Sequence, residues 1–209
     1  ARQVQSGAIS RQEMKRAIYV FVILSLVSGV MLLMQCKAVL GWNGVLKMFL
    51  LGVASIMAAI CYTVGKKPYG YMGLGDVFVF VFFGLVGVEG SYVLYGGELS
   101  LWVLLPASSV GLLSMAVLNM NNMRDMESDN RSGKKTIIVR HGIEWGKKYQ
   151  TVLVIGAFVL MGIYVCFQGS VYQYGYMIAI PIFAKHLVEV WRNKESRLLD
   201  GQLKVVSMG

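Results

Sequence analysis

Apolar residues fall into six long blocks along this chain, each roughly 17–25 residues, the length an α-helix needs to cross a bilayer. The blocks run over about Ala17–Cys36, Val45–Val64, Val77–Tyr95, Leu101–Met120, Tyr149–Phe167 and Val171–Leu187. Lipid leaves backbone polar groups nothing to bond except each other, so such blocks predict helices. The pattern predicts an all-α, multi-pass transmembrane helical bundle, one membrane domain over residues 1–209. Ser10-Arg11-Gln12-Glu13 has the form of a capping box and predicts a helix start ahead of the first block. The turns at Gly96-Gly97-Glu98 and Gln168-Gly169-Ser170 are short, which makes successive helices antiparallel neighbours. Pro181 falls inside the sixth block, where neighbouring helices can satisfy the carbonyl it frees.

Composition agrees. Hydrophobic residues make up 56% of the chain and charged residues 15%, against about 25% charged in soluble domains. The net charge of +9 does not indicate nucleic acid, because the basic residues sit between apolar blocks, where they act as topology signals. Of the 20 Lys and Arg, 18 lie on one alternate set of connections; only Lys37 and Lys47 lie on the other. The positive-inside rule then puts both ends and the acidic stretch near residue 125 in the cytoplasm. The chain is expected in the cell inner (plasma) membrane. Cys36, Cys61 and Cys166 lie in or beside apolar blocks without metal-ligand spacing and read as small hydrophobes. The sequence opens at Ala1 with a basic segment and no signal-peptide pattern, and stops at Gly209 just after a fresh helix start. Both ends are expected to be cut.

The chemistry concentrates in Asn121-Asn122-Met123-Arg124-Asp125-Met126-Glu127-Ser128-Asp129. Asn121, Asp125 and Asp129 stand at i, i+4 and i+8, which is one face of a helix. A bare pair of carboxylates there could be a solvated helix end. The Asn one turn deeper, and the crowding of Arg124, Arg131, Lys134 and Lys135, point instead to a metal–diphosphate complex neutralised from both sides. A second stretch, Gly65-Lys66-Lys67-Pro68-Tyr69-Gly70-Tyr71-Met72-Gly73-Leu74-Gly75-Asp76, offers lysines for phosphate and tyrosines for an aromatic ring or a cation. On its own it also reads as an interfacial loop. Arg2-Gln3-Val4-Gln5-Ser6-Gly7-Ala8-Ile9-Ser10 on its own is a basic loop before a helix. Glu89, well inside the third block, is either a cavity wall or a hydrogen-bonded glutamate near the far end of its span. His186 lies near the cytosolic end of the sixth block, beside Lys185, and carries no functional reading of its own.

Taken in order, Arg-x-x-x-Ser-Gly-x-Ile-Ser, Lys-Pro-Tyr-Gly-Tyr-x-Gly-Leu-Gly-Asp and Asn-Asn-x-Arg-Asp-x-x-x-Asp resemble the UbiA superfamily of membrane prenyltransferases. The resemblance is nearest to the 1,4-dihydroxy-2-naphthoate polyprenyltransferases of menaquinone synthesis. It continues through Gly133-Lys134-Lys135-Thr136 and Val139-Arg140-His141-Gly142. It implies a nine-helix fold with two aspartate-rich motifs, of which this chain holds the third to eighth helices and the second motif. It implies Mg²⁺ bound by Asp125 and Asp129, with Asn121 completing the catalytic cluster. Arg2, Lys67, Arg124 and Arg131 become candidate contacts of a polyprenyl diphosphate, and Tyr71 a shield for the allylic cation or a surface for the acceptor. The implied reaction joins the polyprenyl group to 1,4-dihydroxy-2-naphthoate with loss of CO₂ and diphosphate. Glu89 departs from the apolar pattern of the family.

Other readings fare less well. A related enzyme acting on 4-hydroxybenzoate would share the acidic motif, but the Lys-Pro-Tyr-Gly-Tyr loop favours naphthoate. A CDP-alcohol phosphotransferase would carry an upstream Asp-Gly and Ala-Arg signature that is not found. A transporter would show broken helices or charges in paired positions; Glu89 and Pro181 are not paired. A non-catalytic membrane fragment would need none of the three motifs.

Overall fold

The computed structural model describes residues 7–63, 68–193 and 200–208. Among these residues every regular element is a helix, and there are no strands. The order is α1 (Arg11–Gln35), α2 (Lys37–Thr63), a 3₁₀ turn (Tyr69–Tyr71), α3 (Gly75–Leu94), α4 (Leu104–Arg124) and α5 (Met126–Arg131). There follow α6 (Ile137–His141), α7 (Ile143–Gln168), a 3₁₀ segment (Val171–Ala179), α8 (Ile180–Arg192) and α9 (Asp200–Met208). α1, α2, α3, α4 and α7 are each long and apolar enough to cross a membrane.

The chain divides into two compact units. The first comprises α1 and α2 as far as Ile60, with Leu94–Gly96. Ser10 starts α1 as a full capping box: its hydroxyl accepts from the Glu13 amide at 3.2 Å, and the Glu13 carboxylate accepts from the Ser10 amide at 2.8 Å. The join to α2 is tight, and α2 breaks at Gly41, whose φ of 62° only glycine adopts readily. The sequence block starting at Val45 is the part of α2 beyond that break.

The second unit runs over Cys61–Val93 and from Gly97 onward. α4 is its axis, packed along α7 on one side and α3 on the other. The core holds Ala116, Met120 and Met123 of α4, Leu153 and Val154 of α7, Phe183 and Val190 of α8, and Val206 of α9. Apolar surface has no special attraction for itself in lipid, so close contact must come from small residues and polar ties. Both are present. α3 passes through a π-helical segment, Phe80–Val86, where Gly84 meets Gly111 of α4. A Cβ on Gly84 would lie 2.6 Å from the Gly111 Cα, so the backbones touch only because both side chains are missing. Between α4 and α7, Ser109 Oγ donates to the Ala157 carbonyl at 2.8 Å.

The sixth apolar block differs in form from the single span its hydropathy predicts. It is a 3₁₀ segment running directly into α8, with Pro181 in the first turn of α8. A continuous α-helix would forfeit the bond from residue 181 to the carbonyl four residues earlier. Restarting the helix at Ile180 places the proline where no amide hydrogen is needed. Glu89 is buried in α3, and neither of its carboxylate oxygens has a hydrogen-bond partner among the described residues.

Candidate active site

α4 ends at Arg124, and Asp125 takes a non-helical turn (φ −95°, ψ 6°) before α5 begins. The i→i+4 ladder nonetheless continues across the break. The Asp125 amide donates to the Asn121 carbonyl at 2.9 Å and the Asp129 amide to the Asp125 carbonyl at 2.8 Å. The spacing of Asn121, Asp125 and Asp129 therefore keeps its one-turn register although the helix is interrupted. Arg124 ties the first two together. Its Nε and Nη2 each donate to one Asp125 carboxylate oxygen at 2.9 Å, and Nη2 also reaches Asn121 Oδ1 at 3.0 Å. This fork onto a carboxylate is the bidentate geometry that only arginine supplies. Asp129 has its own cation: Lys134 Nζ donates to Oδ2 at 2.8 Å. Both pairs are mostly buried, with side chains 13–22% exposed.

The Tyr71 loop reaches this cluster through the segment after Asp129. The Lys135 amide donates to the Tyr71 carbonyl, and Arg140 Nη2 donates to the Met72 carbonyl, both at 2.9 Å. Lys134 on the acid and Lys135 on the loop are adjacent, so the two motifs meet at consecutive residues. Gly73, at φ +82°, lies against the Lys135 carbonyl, where a Cβ would come within 2.9 Å. Tyr71 itself is half exposed. Behind it, Tyr69 stacks on Phe78 with centroids 3.8 Å apart, and burial pushes its phenol above the usual range, helped by nearby Cys61 and Tyr62. At the base of the loop, the buried Asp76 accepts a hydrogen bond from Tyr149 of α7 at 3.3 Å.

Arg131 is not in the cluster. It is exposed and pairs with Glu127 at 3.3 Å. Arg2 and Lys67 lie outside the described residues. Lys134 is the basic residue that the sequence reading placed in the crowd without a role. Its signal is hidden because Asp129 and Lys134 are joined by a turn through Gly133 (φ +74°), not by helical spacing.

Asn121 also lies at one end of an apolar cavity of about 460 Å³. Its walls include Val79 and Phe83 of α3, Leu118 of α4, Phe183 of α8 and Val206 of α9. A neighbouring cavity of about 240 Å³ shares Val110, Leu113 and Phe183 and continues along α4 to Pro106. The arrangement is a charged head, rich in hard oxygen donors and basic counter-groups, beside an apolar trough. Among the described residues no three acidic, His or Cys side chains converge on one point. Two carboxylates and an amide oxygen are hard donors of the kind Mg²⁺ takes, an ion that habitually keeps waters and phosphate oxygens in the rest of its shell.

No solved structure matches. The chain is 41% identical over 196 residues to the 1,4-dihydroxy-2-naphthoate octaprenyltransferase of Escherichia coli, covering 93% of this chain and 63% of that protein. It is 39% identical over 214 residues to the protein of the same name from Haemophilus influenzae, covering 99% of this chain and 68% of the relative. The 2-carboxy-1,4-naphthoquinone phytyltransferase of Synechocystis is 29% identical over 141 residues, which is 66% of this chain and 45% of that protein. The chain thus spans about two thirds of the length of the first two relatives. The model of the UbiA prenyltransferase family matches residues 1–202, and this chain belongs to that family.

Proposed function

We propose that the protein transfers a polyprenyl group from polyprenyl diphosphate to 1,4-dihydroxy-2-naphthoate, releasing diphosphate and CO₂, as a step of menaquinone biosynthesis in the bacterial inner membrane. The observation that carries this reading is the junction at Asn121. On one side stand Asp125 and Asp129, each with a basic partner; on the other lies the apolar trough. A donor with a charged head and an isoprenoid tail has the same two-part character. The names of the two long relatives support the acceptor.

Asp125, Asp129 and the Asn121 amide oxygen would hold Mg²⁺, which when bound neutralises the diphosphate and eases its departure. Arg124 and Lys134 sit within reach of the carboxylates and supply positive charge to the same leaving group. Lys67 and Arg2 are further candidates for that role, and Tyr71 borders the acceptor. The allylic C–O bond breaks and diphosphate leaves with the bonding pair. The ring carbon bearing the carboxylate forms the new C–C bond; CO₂ then departs and its bond pair restores the aromatic ring. Walls such as Phe83, Leu118 and Phe183 keep water from the allylic cation. The 18-to-2 split of basic residues supports a cytoplasmic position for the acidic motif.

The test is a paired acceptor assay in membranes carrying the protein, with carboxyl-labelled 1,4-dihydroxy-2-naphthoate or 4-hydroxybenzoate and a polyprenyl diphosphate. Prenylated naphthoate product with stoichiometric labelled CO₂ is expected. Prenylation of 4-hydroxybenzoate alone would reassign the acceptor.

A further inference from the structure

Beside the acidic motif, and unused by the reaction above, a chain of buried neutral groups crosses four helices. Asn119 Nδ2, on α4, donates to the Gly146 carbonyl at 2.9 Å and to Gln150 Oε1 on α7 at 2.8 Å. Gln150 Nε2 meets His186 Nε2 on α8 at 3.1 Å, and His186 Nδ1 meets Gln202 Oε1 on α9 at 2.9 Å. Gln202 Nε2 in turn donates to Glu189 Oε2. Asn119, Gln150 and His186 are at most 1% exposed.

The two ends fix every proton in between. The Gly146 carbonyl can only accept, so the Asn119 amide must face it, and Gln150 must then accept through Oε1 and donate through Nε2. The Glu189 carboxylate can only accept, so Gln202 donates to it and turns Oε1 to the imidazole. From both directions His186 is left as neutral imidazole with the hydrogen on Nδ1 and an open lone pair on Nε2. A charged or reversed ring would set N–H against N–H on one side.

The links run beside the cavity. Phe183, a wall residue, packs edge-on to the His186 ring with centroids 6.4 Å apart. Val206 and Ser207, also wall residues, stand one turn beyond Gln202 on α9. Asn119 is two residues from Asn121 on α4.

We propose that His186 is a positioning residue: in its Nδ1–H form it docks α9 onto α8 and α7, so that Phe183 and Val206 form the wall of the trough that receives the apolar tail of the donor. The proposal rests on the prenyl-donor reading of the trough. His186 touches no reacting atom; it governs binding of the tail through the wall.

Three measurements on the purified protein in lipid nanodiscs test it. The chain has two histidines, so ¹⁵N-histidine NMR reads the tautomer directly, with a protonated Nδ1 and a bare Nε2 expected for His186. Amide exchange of α9 is expected to accelerate about tenfold in His186→Leu, because a broken buried hydrogen bond leaves its partners unsatisfied. Equilibrium binding of polyprenyl diphosphate is expected to weaken about tenfold in His186→Leu and in Gln202→Leu, with inorganic diphosphate bound as in the wild type. General misfolding would lower both affinities together. Exchanging the two groups, Gln150→His with His186→Gln, preserves the donor direction along the chain and is expected to restore α9 protection and donor affinity. An Nε2–H or charged His186, unchanged α9 exchange, or unchanged donor affinity in both Leu variants would overturn the proposal. Failure of the wild type to bind polyprenyl diphosphate at all would instead remove the donor reading beneath it.

Discussion

Asn119 and Asn121 are two residues apart on α4, yet they head polar clusters of opposite kinds. Asn121 opens onto Arg124, Asp125, Asp129 and Lys134, a set of full charges that remain partly exposed. Asn119 opens onto Gln150, His186 and Gln202, a set of buried neutral groups in which every amide has one allowed orientation. Charged groups near water can trade partners, because solvent pays part of the cost while a new ion arrives. Buried neutral groups cannot, because each broken link strands an unsatisfied atom. The difference suits the proposed roles, an ionic cluster for a substrate that comes and goes and a neutral chain that holds the walls still.

The largest effect should come from removing a carboxylate. Asp125→Ala or Asp129→Ala is expected to lower prenyl transfer on the order of a thousandfold, with membrane insertion unchanged, since each deletes a proposed metal ligand from a two-carboxylate set. Turnover within about twofold of wild type in both purified variants would break the division between the clusters.

A smaller effect separates two basic residues that look equivalent in the sequence. Lys134 bonds Asp129 in a site largely shielded from water, whereas Arg131 pairs with Glu127 in the open, with side chains 80% and 71% exposed. Lys134→Met is expected to cost about tenfold in turnover and Arg131→Met less than about twofold, as exposed ion pairs contribute little. Steady-state kinetics of the two variants gives the ratio, and the opposite order would move the diphosphate contact to Arg131.

The same residues show what was legible in advance. Five of the six hydropathy blocks correspond to helices long and apolar enough to cross a membrane, the sixth being a 3₁₀ segment and a shorter helix; the one-turn spacing of Asn121, Asp125 and Asp129 keeps both i→i+4 backbone bonds across the break at Asp125. The capping box at Ser10 formed as read. Hydropathy is blind to helix type, so the π segment at Phe80–Val86 and the 3₁₀ segment at Val171–Ala179 were not foreseen. Pro181 was the available clue to the second. The pairing of Lys134 with Asp129 depends on a glycine turn, and that of Asp76 with Tyr149 on residues 73 apart. Neither leaves a periodic trace. His186 carried no functional signal in the sequence, and only its neighbours on other helices reveal an oriented link.

The central claim is that Asp125 and Asp129 hold the donor head through a divalent ion. It is tested most directly by equilibrium binding of polyprenyl diphosphate with and without Mg²⁺, in the wild type and in the double variant Asp125→Asn with Asp129→Asn. The account predicts that Mg²⁺ tightens wild-type binding at least about tenfold and has no effect on the double variant. Equal tightening by Mg²⁺ in both proteins would contradict it.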